Sequence, residues 1–293
     1  MSEIKNTSTI AKYSIISMLF ENGIGSILHS FKVPFAGHLL SINQIGILSR
    51  VSNETKDPDA PLLIAFNTSL LKSLGPAGKK LTPMLAIMTQ GILFSAPLYI
   101  FGINIFSYFL GITLAAVWAF LQPLILTYLF FGNQIIDVIE KILSEGKKIF
   151  PNVEDKLLVI ILTLISIKLI LAYFYSYTLI KLNSEEFEQL NTKLTQNVKT
   201  EKSIPNNSKV LAAFKELFNP LFIISLLFTG LFAFYLESSW VNLIWTLLRP
   251  ITIGFILFYF IKLVPLDNLV IKLKKLGLNK FSDSLEKTLN YFK

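Results

Sequence analysis

The chain contains no cysteine, which removes disulfide frameworks, thiol nucleophiles and cysteine-based metal sites together. Histidine is nearly as scarce. His29 and His38 are the only two, and no carboxylates stand at ligand spacing beside them, so no transition-metal site is expected. Charge is sparse as well, 16% of residues against roughly 25% in an average soluble domain. There is no D-D-x-x-D cluster of the kind that holds Mg²⁺ for prenyl or lipid chemistry; the carboxylates fall mostly in linkers. The stretch GPAGKKLT at 75–82 lacks the spacing of a phosphate-binding loop and follows no strand. The polar start MSEIKNTSTIAKYS leads into no signal-peptide cleavage pattern. These absences point away from an enzyme: no catalytic residue, metal or cofactor is expected.

Apolar sequence is abundant. Hydrophobic residues make up 53% of the chain, and several runs approach the ~20 apolar residues that cross a bilayer. The clearest is 157–180, LLVIILTLISIKLILAYFYSYTLI, joined by 83–101, 105–131, 217–236 and 240–263. The first 75 residues are more broken. Residues 10–31 carry Glu21, Asn22 and His29; 39–51 and 61–74 are short. Short, polar-interrupted helices at membrane depth must face protein or water, because lipid cannot satisfy their polar groups. Either they line a cavity, or they are imperfect spans filling a bundle interior.

Lysine placement orients the chain. Lys181, Lys193, Lys199, Lys202, Lys209 and Lys215 crowd the 181–216 segment, and six more lie in the tail. Lysine-rich short loops prefer the cytoplasm, and 217–236 and 240–263 supply the two spans that must separate these segments. The expected architecture is an all-α, polytopic membrane bundle in the cytoplasmic (inner) membrane with both termini cytoplasmic. It comprises a six-helix membrane core (1–180), a cytoplasmic linker (181–216), a two-helix membrane hairpin (217–263) and a cytoplasmic amphipathic tail (264–293). The net charge of +8 is then a topology signal, and no nucleic-acid partner is needed to explain it. Residues 134–146 combine Ile135, Ile136, Val138, Ile139, Ile142 and Leu143 with Asp137 and Glu140, which suits an interfacial helix. The lysine-bearing tail either binds anionic lipid or packs beneath the bundle.

In this topology the turn KSLGPAGKKLTP at 72–83 faces outside, against the positive-inside tendency. Lys32, His38, Lys79 and Lys80 on the outer loops are suited to holding a carboxylate or phosphate at the mouth of a pocket; the alternative is that Lys79 and Lys80 anchor to lipid headgroups or cap the preceding helix. Lys168, near the midpoint of 157–180, marks a functional site or a paired charge by its depth alone. It either pairs with Glu21, contacts a ligand, or faces a hydrated gap against the C-terminal helices.

Several motifs occur together in order. LFENGIGSIL carries Glu21, VPFAGHLLSINQIGIL carries Gly37 and Asn43, LLKSLGP carries Lys72, IMTQGILFS carries Gln90, and LGITLAAVWAFLQPL carries Gln122. In this order, from about 10 to 180, the chain resembles the substrate-binding S components of energy-coupling factor (ECF) transporters, nearest to the subfamily labelled heptaprenyl diphosphate synthase component I. Asn67 stands where that subfamily is expected to carry an arginine. The resemblance implies a six-helix bundle that captures a small vitamin-like or precursor molecule at its outer face. It also implies a transmembrane coupling subunit and ATPases as partners, beside membrane lipid. The candidate substrate-binding residues are Glu21, His38, Asn43, Asn67, Lys72, Lys79, Lys80, Gln90, Gln122 and Lys168. A non-catalytic membrane scaffold, or a secondary carrier, is the alternative.

Overall fold

A computed structural model describes residues 2–25, 35–72, 81–132, 134–149, 152–182 and 266–291, with isolated positions elsewhere. The expected linker beyond residue 182, most of the expected 217–263 hairpin, the 73–80 turn with Lys79 and Lys80, and Lys32 lie outside the described residues. All regular secondary structure among the described residues is helical. The helices are α1 (Ser2–Leu19), α2 (Ala36–Thr55), α3 (Asp59–Lys72), α4 (Leu81–Phe101), α5 (Ile105–Phe131), α6 (Gln134–Ile149), α7 (Val153–Lys181), α8 (Leu266–Lys275) and α9 (Asn279–Asn290). Three stretches are long and apolar enough to cross a membrane: Thr82–Phe101, Ile105–Leu129 and Asp155–Lys181. This is a helical membrane protein.

Local chemistry explains the breaks. α1 does not stay α-helical beyond Leu19; it widens into a π-turn over Phe20–Ile24, closed by the Gly25 N–H on the Phe20 carbonyl. Lys56 ends α2 in the left-handed conformation, its N–H on the Ser52 carbonyl. Pro58 then prevents continuation, and the Asp57 carboxylate accepts the Asp59 N–H to start α3. Between α4 and α5, Gly102 takes a positive φ. Asn104 and Ser107 cap α5 reciprocally, each side chain accepting the other's backbone N–H at 2.9–3.0 Å.

The chain divides into two compact units. One holds Met1–Leu121, Leu162–Lys202 and Leu266–Lys293; the other holds Gln122–Ile161 and Ser203–Pro265. In the first, α2 is central: Gln44 to Ser52 are buried without a break. It packs against α1, α3 and α4 and reaches α7 through Gly46, where an added Cβ would lie 2.6 Å from the Tyr175 ring. α3 and α4 are in close contact at Gly91, whose absent Cβ would stand 2.1 Å from that of Ala65. The core combines Ile45, Ile47, Leu48, Ile64, Phe94 and Leu98 with Ile112, Ala115 and Ala172.

α7 divides cleanly by face. Lys168, Ala172 and Ser176, four residues apart, are its buried positions, while Ile167, Ile170, Leu171, Phe174 and Tyr177 are exposed. Exposed Ile92, Ile100, Phe101, Phe106 and Phe109 continue this apolar surface on α4 and α5, as expected of helices bordered by lipid. The tail packs against the bundle. α9 lies across α1 and α3, and Val270, Leu273 and Leu285 of α8 and α9 form a small core with Phe66 and Leu70 of α3. In the second unit, α6 carries the amphipathic pattern expected for 134–146, with Ile136 and Ile139 exposed.

Candidate functional site

A polar cluster inside the first unit gathers three of the candidate residues, His38, Gln90 and Lys168. The Lys168 ammonium, on a side chain only 4% exposed, donates to Ser41 Oγ at 3.1 Å. It lies 3.3 Å from His38 Nδ1 and 5.2 Å from the centre of the Phe120 ring. The His38 ring packs on Phe120 with centroids 4.4 Å apart. Gln90 Nε2 donates to the same Ser41 hydroxyl and, at 3.4 Å, to the Ala115 carbonyl. Four helices thus contribute: α2 with His38 and Ser41, α4 with Gln90, α5 with Phe120 and α7 with Lys168.

The electrostatics of this cluster are unbalanced. A lysine at the centre of a bilayer costs about 2.5–3.5 kcal/mol on the insertion scale, and among the described residues no carboxylate pairs with Lys168. Its neighbours are a hydroxyl, an imidazole and a ring face. His38 and Ser41 belong to the first two turns of α2, whose N-terminal end carries the positive pole of the helix dipole. A buried cation therefore faces a second source of positive potential. Such an arrangement favours an anionic group. Beside it, Phe35 is exposed in a left-handed conformation with φ of 61°, and Gly37 borders open space.

Other candidate residues are engaged elsewhere. Glu21 does not pair with Lys168. Its carboxylate lies 3.4 Å from the Lys72 ammonium, both side chains being buried, and Lys72 also donates to the Glu21 backbone carbonyl. The reason is proximity: the end of α3 packs beside the π-turn that follows α1. Asn67 joins α1 and α3 to α9, its amide donating to Ser14 Oγ at 3.3 Å, Ser284 Oγ at 2.7 Å and Thr288 Oγ1 at 3.1 Å. Asn43 accepts the Tyr175 hydroxyl at 2.9 Å. Gln122 is buried and belongs to the second unit.

Sequence reasoning passed over Ser41, Phe120 and Arg50. Ser41 follows His38 by three residues, the spacing that places both on one helix face, so the pair is readable in the sequence. Phe120 is one of many phenylalanines and carries no signal of its own. Arg50 is buried and donates to Tyr13 Oη at 2.6 Å and to the Leu182 carbonyl at 3.0 Å, with a further bond to the Leu179 carbonyl. Tyr13 in turn donates to Glu54 at 2.6 Å. Arg50 thereby satisfies carbonyls that the end of α7 leaves unpaired.

No family model matches the chain, and no curated protein or solved structure proves similar to it.

Proposed function

We propose that this chain is the membrane-embedded substrate-binding subunit of an ECF-type importer. It captures a small anionic molecule, vitamin-like or a precursor, from the outer face of the cytoplasmic membrane. The observation that carries this function is the Lys168 ammonium, buried among neutral partners with no carboxylate opposite it among the described residues. A ligand carboxylate or phosphate would supply the missing charge and offset the cost of burying the lysine. His38, Ser41 and Gln90 supply polar contacts around it, and Phe120 closes one wall. The order of motifs from Glu21 to Gln122 supports the family. Energy would come from a coupling subunit and ATPases, since the chain carries no phosphate-binding loop of its own. Both termini would be cytoplasmic.

A non-catalytic scaffold is the competing function. It is favoured by the internal engagement of Glu21, Lys72, Asn43 and Asn67, which serve the fold where they stand. Native mass spectrometry of the purified protein separates the two. A bound small anion released from the wild type, and absent from a Lys168→Met variant that melts at or above the wild-type temperature, supports capture. If the wild type releases nothing and Lys168→Met is simply more stable, the lysine has no ligand and the scaffold stands.

A further inference from the structure

The turn between α8 and α9 presents an unusual combination at a defined height on the bundle. Gly277, with φ of +76°, closes α8 in a Schellman arrangement: the Leu278 N–H bonds the Leu273 carbonyl and the Gly277 N–H that of Lys274. The geometry turns the flanking leucines outward, Leu276 to 73% exposure and Leu278 to 45%. Residues 271–280, IKLKKLGLNK, carry four lysines and no acidic residue. Lys274 is matched by Glu286 and Lys280 by Asp59; Lys272 and Lys275 have no ion pair among the described residues. The inner faces of both helices are already used, by the small core with Phe66 and Leu70 and by the Asn67 network. The apolar tip is therefore left over after packing is complete.

Its height follows from one cluster. Tyr99, two residues from the end of the span Thr82–Phe101, donates its hydroxyl to Asp59, and Asp59 is paired with Lys280. Tyrosine at the end of a span belongs to the membrane–water interface. Lys280, and with it the turn two residues earlier, is tied to that level, beside the exposed Ile100 and Phe101 of the apolar belt.

We infer that the α8–α9 turn is a foot that rests on the anionic lipid surface of the membrane the protein spans. Leu276 and Leu278 enter the headgroup–acyl boundary, and Lys272 and Lys275 meet lipid phosphates. Apolar side chains flanked by lysines are the chemistry that such a surface recognises. This is independent of any ligand at Lys168.

The absence of native cysteine makes the test direct. Full-length protein carrying Leu276→Cys or, as a comparison, Asn290→Cys is labelled with an environment-sensitive fluorophore. It is reconstituted in vesicles of phosphatidylcholine alone or with phosphatidylglycerol. Lipids spin-labelled near the headgroup should quench the probe at 276 more than at 290, and phosphatidylglycerol should increase the difference. Lys272→Gln and Lys275→Gln should each reduce that increase by about fivefold in the insertion equilibrium. Acrylamide access at 276 in phosphatidylglycerol vesicles as high as in the denatured protein would place the tip in water. Protection from acrylamide without quenching by lipid would mean that protein covers it. Lipid quenching indifferent to phosphatidylglycerol and to both lysines would remove the recognition of anionic headgroups. Each of these three results overturns the inference.

Discussion

Removing one member of the Glu21–Lys72 pair should destabilise the protein far more than removing both. At 3.4 Å and an effective dielectric of about 20, the two charges attract by about 5 kcal/mol. Burial works against this, since each ion has lost its water. Breaking a buried pair typically costs about 3–5 kcal/mol because the remaining charge is stranded, whereas replacing both partners by neutral groups is often close to neutral. The two single changes are not equivalent. Lys72 also donates to the Glu21 carbonyl, and losing a donor to a buried acceptor costs about 1–3 kcal/mol more. The expected order of stability is therefore wild type, then Glu21→Gln with Lys72→Met together, then Glu21→Gln, with Lys72→Met lowest. The coupling energy should be about 3 kcal/mol. Unfolding of the four proteins in one detergent, followed by helical circular dichroism, gives the cycle. Additive effects within about 0.5 kcal/mol would refute the pairing. The same cycle between Glu21→Gln and Lys168→Met should be additive, because the two groups occupy different sites.

Two further outcomes follow from the packing. Gly91→Val should destabilise by about 1–3 kcal/mol or more, because even the first added carbon would stand 2.1 Å from the Ala65 Cβ; a variant that melts with the wild type would mean that α3 and α4 are not so close. Burial alone would raise the Asp59 carboxyl, but hydrogen bonds from Lys280 and Tyr99 and the Lys280 charge hold it below the usual carboxylate range. Its contribution is thus present above the unfolded pKa of about 3.9 and lost as pH falls through the lower folded value. Acid titration of the melting temperature should show this loss in the wild type and not in Asp59→Asn.

The helical class and the three spans were legible because uninterrupted apolar length needs no knowledge of neighbours. The depth of Lys168 in its span was legible too, but whether it faced a partner, a ligand or a hydrated gap was not. Nor were partners. Glu21 and Lys72 are 51 residues apart, and which cation reaches Glu21 depends on the rotation and depth of α1 and α3, which composition does not encode. Asn67 meets Ser284 and Thr288 across more than 200 residues, through a tail whose alternation of lysine and leucine fits a lipid surface and a helix bundle equally well. Arg50 reads as an ordinary loop-proximal cation in the sequence. Only the fold shows that it terminates another helix.

α2 and α7 are joined at three levels. Lys168 meets His38 and Ser41, Tyr175 meets Asn43 and Gly46, and Arg50 grips the carbonyls of Leu179 and Leu182. A slide of one helix along the other by a single turn would break all three joints together. The two therefore travel as one stiff plank through any rearrangement. α4 and α5 are fastened to this plank as well, Gln44 Nε2 donating to the Ile87 carbonyl at 2.9 Å, Gln90 to Ser41 Oγ, and the Tyr173 hydroxyl to the Phe109 carbonyl at 3.0 Å. A molecule that reaches the Lys168 ammonium must therefore do so without parting α2 from α7.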